Sequence, residues 1–162
     1  MLVRIGMGLA IALSGLLFGS AHAQNARKPT DQEVAAIRAC AVKYQDNVEE
    51  GERQCVFNLV ATPCTNTPEG ISNLGSAECF GVESAIWDVL LNENFKTLLS
   101  ELDDQQTVKL RAMQRAWITY RDTTCGFYMD KIQGSMAIPT ANACGARETA
   151  RRALLLQFFS RM

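Results

Sequence analysis

The chain has 162 residues, 48% of them hydrophobic, and a formal net charge of −1 at pH 7. A near-neutral balance without a basic run excludes the electrostatic footprint of a nucleic-acid binder. The single histidine, His22, lies in the N-terminal apolar stretch, so the rest of the chain can build neither a Ser-His-Asp nor a Cys-His catalytic arrangement.

In chain order, Arg4 precedes an apolar run from Ile5 to about Phe18 and the small-residue end Ala21-His22-Ala23. This pattern predicts a secretory signal cleaved before Gln24, the run being short for a membrane span. Removing 23 of the 162 residues leaves 139, with 15 Lys+Arg against 17 Asp+Glu. That is enough for one domain with a core. The residue directly after the cleavage point is Gln24 and not a cysteine, so no lipid anchor is indicated, and the expected location is periplasmic or secreted without a stable membrane anchor.

Residues 24–29 read as a flexible lead to a single helical domain over 30–162. Thr30 and Glu33 form a capping box that opens a helix carrying Val34, Ile37, Ala41 and Tyr44, expected to end near Gly51. A second short helix is expected to hold Cys55, Phe57, Leu59 and Val60 and to stop before Pro63. The segment 62–78, rich in Pro, Gly, Asn, Ser and Thr, reads as a long loop. A long helix is then expected from about Ser76 to Leu102, and a second capping box, Asp103 with Gln106, starts a helix to about Gln133. Gly134 ends it, Pro139 lies in the connection, and a last helix covers about Thr140 to Ser160. With no strand alternation, the fold class is all-α: a disulfide-stapled helical bundle with a central antiparallel helix hairpin.

Six cysteines in an exported chain read as three disulfides. The absence of a C-x-x-C pair argues against zinc, and no cofactor or metal is expected. Fifteen connectivities are open; near-neighbour pairing, Cys40–Cys55, Cys64–Cys79 and Cys125–Cys144, is the expectation.

The stretch "QRAWITYRD", Gln114 to Asp122, gathers chemistry-bearing side chains. On a helical wheel, Leu110, Met113, Trp117, Tyr120, Thr124 and Phe127 form one stripe, which predicts a packed seam. Arg121 and Gln114 fall between that stripe and Ile118 with Cys125, where a guanidinium needs an acceptor. The preceding helix offers Asp88, among Trp87, Leu91 and Phe95. In a hairpin turning at Asp103, Asp88 and Arg121 differ by three residues in register, about 4.5 Å at the helical rise, and Asn92 faces Gln114. The expectation is a buried polar lock of Asp88, Asn92, Gln114 and Arg121.

The same residues carry a resemblance. "WDVLLNENFKTLL" is similar to a pattern D-x-x-L-N-x-x-Y/F-x-x-L, met at Asp88, Leu91, Asn92, Phe95 and Leu98. "LRAMQRAWITYRDTTC" is similar to L-x-x-x-Q-R-x-W-x-x-x-R-D-x-x-C, met at Leu110, Gln114, Arg115, Trp117, Arg121, Asp122 and Cys125. Gly134-Ser135, Cys144, Thr149 and Arg152 follow in the same order. Together they resemble the lysozyme-inhibitor LprI-type family of small exported bacterial proteins, from about Cys64 to about residue 160. The resemblance implies a helical envelope protein that can bind and inhibit lysozyme, and the sparse acid–base residues argue against an enzyme.

An inhibitor gains from a pre-ordered loop, which lowers the entropic cost of binding. The binding candidates are Gly134, Ser135, Met136 and Ile138, if a Cys125–Cys144 bridge clamps their base; the loop Gly70–Ser76 comes second. The competing reading is a periplasmic interaction or scaffold module with another protein or a small molecule.

Overall fold

The computed structural model describes residues 27–162; the expected signal segment 1–23 and residues 24–26 lie outside them. The described residues form six helices and no strand: α1 (Asp31–Lys43), α2 (Val48–Cys55), α3 (Ala61–Thr65), α4 (Asn73–Glu101), α5 (Asp104–Lys131) and α6 (Ala137–Phe159). All three near-neighbour disulfides are present, Cys40–Cys55, Cys64–Cys79 and Cys125–Cys144.

Both capping boxes form as expected. The Thr30 hydroxyl accepts from the Glu33 N–H, and the Glu33 carboxylate accepts from the Thr30 N–H at 2.8 Å. Asp103 and Gln106 do the same for α5. The Arg27 guanidinium also donates to Glu33 and, with the Thr30 bonds, holds its carboxyl at about 2.

Boundaries differ where a cap or a turn intervenes. The first helix ends at Lys43, short of Gly51, because Asn47 caps a new helix, its side chain accepting from the Glu50 N–H. The expected second helix is split: α2 stops at Cys55, and Phe57 takes a left-handed φ of 70° before α3. Pro63 lies inside α3, in its first turn, where a missing N–H breaks no helical bond. The segment expected as loop is much shorter, since α4 starts at Asn73 with Ser72 as its cap. Gly70 is required there: a Cβ would lie 2.0 Å from the Cys64 carbonyl oxygen. Likewise Pro139 sits in the first turn of α6, which starts three residues before the expected Thr140.

One acidic side chain that sequence reading passed over organises this region. Glu83, in the middle of α4, is completely buried. Its carboxylate accepts from the backbone N–H of Phe57 at 2.7 Å, from the N–H of Ala61 at 2.8 Å, and from the Trp87 indole at 3.1 Å. It thus fixes the unusual turn at Phe57 and the start of α3 from the side. Burial pushes its carboxyl above the usual carboxylate range, and the three N–H donors oppose that shift.

Ile37, Val60, Val82, Ile86, Trp87, Leu90, Leu91, Leu154 and Leu156 form the centre of the core. The helix order around it departs from the hairpin packing expected between the two long helices. α4 packs chiefly on α6, and α5 also packs on α6, with few direct contacts between α4 and α5. α4 and α6 run parallel: Asn142 donates to the Ala77 carbonyl and Asn94 to the Ala153 carbonyl, each at 3.0 Å. α5 runs antiparallel to α6, fixed by Cys125–Cys144 near one end and by Arg152 to Gln114 further along. The chain does reverse at Asp103, but the last helix supplies the face that each long helix buries.

Candidate functional site

Because α6, not α4, receives α5, the expected polar lock does not assemble. Asp88 is exposed and accepts from Asn92 on its own helix at 3.0 Å, and Asn92 is exposed as well. Arg121 pairs with its neighbour Asp122 at 2.7 Å, and its guanidinium carbon lies 4.8 Å from the centre of the Trp117 ring. Gln114 is partly buried and bonds to Arg152 of α6, whose Nε donates to its Oε1 at 2.8 Å. Of the four lock residues, only Gln114 joins helices. Its partner carries one of the motif positions that the wheel for α5 does not contain.

The α5 stripe is likewise turned. Leu110 is buried and Trp117 half-buried, but Met113, Tyr120 and Phe127 are exposed, the last at 60%. The packed face follows Leu110, Gln114, Trp117, Arg121 and Cys125 instead, the same 3.6-residue period rotated toward the polar flank. Around Trp117 it creates a cleft of about 430 Å³, lined by Val48, Trp117, Tyr120, Glu148, Arg151, Arg152 and Leu155.

The loop candidates gather elsewhere. α4 and α6 start at the same end of the bundle, so residues 70–76 and 134–139 meet there, and the Asn73 amide donates to the Ser135 hydroxyl at 2.7 Å. Gly134 has φ 92°, the left-handed conformation that reverses the chain between α5 and α6. Met136 and Ile138 are exposed, at 54% and 46%, while Ala137 and Pro139 between and beyond them are buried. Ile71, just before α4, and Leu74, in its first turn, project beside them at 76% and 55%. Cys64–Cys79 and Cys125–Cys144 hold the bases of the two loops. Between them lies a shallow depression of about 280 Å³ lined by Asn73, Ser76, Phe80, Met136, Pro139, Thr140 and Ala143. The second-ranked loop of the sequence reading and the first are therefore one surface.

No three His, Cys, Asp or Glu side chains among the described residues converge as metal ligands. None of their helices is long and apolar enough to cross a membrane.

No curated protein and no solved structure matches the chain. The sequence model of the family described as Lysozyme inhibitor LprI matches residues 64–156. That span begins at the first cysteine of the 64–79 loop and takes in α4, α5 and most of α6, with both clamped loops and the surroundings of Trp117. It covers more than half of the chain and rests on the helices that carry the fold, so the protein belongs to the LprI family of lysozyme inhibitors.

Proposed function

We propose that the protein is an exported inhibitor that binds lysozyme with the loop end of the bundle, at Ile71, Leu74, Ser135, Met136 and Ile138. Family membership supports lysozyme as the partner, and the family is one of inhibitors rather than catalysts. The observation that carries the choice of surface is four exposed apolar side chains at the adjoining starts of α4 and α6. Ile71 and Leu74 lie within the Cys64–Cys79 ring and Met136 and Ile138 within the Cys125–Cys144 ring, with Asn73 joined to Ser135. Loops held in place before binding lose little freedom on contact. An exposed apolar cluster on such loops is the usual core of a protein interface. Three disulfides fit an oxidising compartment, in keeping with loss of residues 1–23 and a periplasmic or secreted protein.

The test is lysis of bacterial cell walls by lysozyme in the presence of the oxidised protein. Inhibition by the wild type, lost on replacing Ser135 and Met136 together by Gly at nearly unchanged melting temperature, is the expected result. Full inhibition by that double variant would remove the loop end from the mechanism. A wild type inactive against several lysozymes at low salt leaves the scaffold reading, with a different partner.

A further inference from the structure

We propose that the cleft around Trp117 binds a small apolar monocarboxylate, whose anionic head is received by Arg152. Arg152 is only 6% exposed, yet no carboxylate pairs with it among the described residues. Its Nε is spent on the neutral Gln114, and its Nη2 is buried with no hydrogen-bond partner. A buried guanidinium without a counter-charge is costly, and proteins pair such groups or place them where a ligand completes the pairing. Burial holds its pKa below the ordinary arginine value.

The charges around the cleft define what fits. Arg151 is already engaged, with Glu52 at 3.0 Å and with Glu148 at 3.6 Å. Arg121, beside Trp117, is engaged with Asp122. Arg152 is thus the one guanidinium at the cleft with no carboxylate in salt-bridge reach among the described residues. Because the Glu148 carboxylate also lines the cleft, a singly charged carboxylate suits it better than a phosphate dianion. Val48, Leu155 and the Trp117 ring supply apolar walls, with the Tyr120 phenol beside them. A volume of about 430 Å³ lies at the small end of ligand sites and suits an acid with a ring or a short alkyl chain. The guanidinium fork is suited to a planar carboxylate.

This site is separate from the loop end, since Arg152 lies fifteen residues into α6 from Ala137, about 22 Å along the helix. Its test is accordingly independent of lysozyme. Benzoate, with benzamide as the neutral isostere and inorganic phosphate as a simple anion, is titrated into the oxidised protein at constant ionic strength. Binding is followed by the indole NMR signals of the two tryptophans. The expected result is a saturable movement of the Trp117 signal and not of the buried Trp87, with affinity at least about tenfold weaker for benzamide and phosphate. Arg152→Gln should remove the response. Should that variant fail to fold, Val48→Trp fills the cleft while leaving Arg152 in place, and it too should abolish binding. The double replacement of Ser135 and Met136 should retain it. Equal response to benzamide, movement of Trp87 instead of Trp117, or no saturation by tens of millimolar benzoate would overturn the proposal.

Discussion

Glu83 and Arg121 invert what their residue types suggest. The glutamate is buried and central, whereas the arginine, expected in a buried lock, leans on an indole and pairs with an exposed neighbour. Arg121→Ala should therefore cost only about 1 kcal/mol, the sum expected of an exposed ion pair and one cation–π contact. Glu83→Gln should cost about 3 kcal/mol, because an amide –NH₂ cannot accept from the N–H groups that the carboxylate now holds. Urea denaturation of the two variants checks the order. The pH dependence has a definite sign. Glu83's folded-state pKa is raised, so its linked stability is present at acid pH and is lost as pH rises from about 4.5 through the raised value. Glu33 acts in the opposite direction: its pKa is lowered to about 2, so its contribution is present above about 4.5 and lost as pH falls toward 2. Acid titration of stability should flatten on its low limb in Glu33→Gln and on its upper limb in Glu83→Gln. Of these residues, Glu33 was legible because a capping box is local, three residues from Thr30. Glu83 was not, since the two backbone N–H groups it binds are 22 and 26 residues away and nothing in α4 announces them.

Among the helices, α5 stands apart. It is 28 residues long, only Leu110 and Cys125 of it are buried, and α6 is its main support. Its amide hydrogens should exchange faster than those of α4. Selective loss of Cys125–Cys144, by replacing both with Ser, should widen that gap and cost about 3 kcal/mol for a loop of this size. Equal protection of α4 and α5 in native-state exchange would contradict the packing described. The long helices were readable from the sequence, with two capping boxes, the turn at Asp103 and the stop at Gly134 where the residues indicate. By contrast, α2 and α3 and the start of α4 were not, the segment 62–78 having read as loop. Which helix each face meets was not readable. Periodicity reports that a stripe is apolar, and the α5 wheel is ambiguous by one flank because Met113, Tyr120 and Phe127 are as apolar as the side that packs. The register argument for Asp88 and Arg121 was sound for two helices in contact; it failed because a third helix occupies the face between them. Arg152, which completes the polar contact with Gln114, lay in a motif but had no geometry until α6 was placed.

For the molecule as a whole, the disulfides carry a consequence beyond stability. Each bridge joins consecutive cysteines, over separations of 15, 15 and 19 residues, and no bridge encloses or crosses another. A chain delivered N-terminus first into an oxidising space presents each sulfur's correct mate as the very next one to emerge. Simple oxidation in order of arrival thus yields the native pairing, and reshuffling, which takes seconds to hours, is not needed. Exported by cells that keep a thiol oxidant but lack a disulfide isomerase, the protein should carry full native pairing, read by peptide mapping without reduction; scrambled pairing in those cells would contradict the argument. Because the three rings are local and none interlocks with another, each can close without waiting for the next.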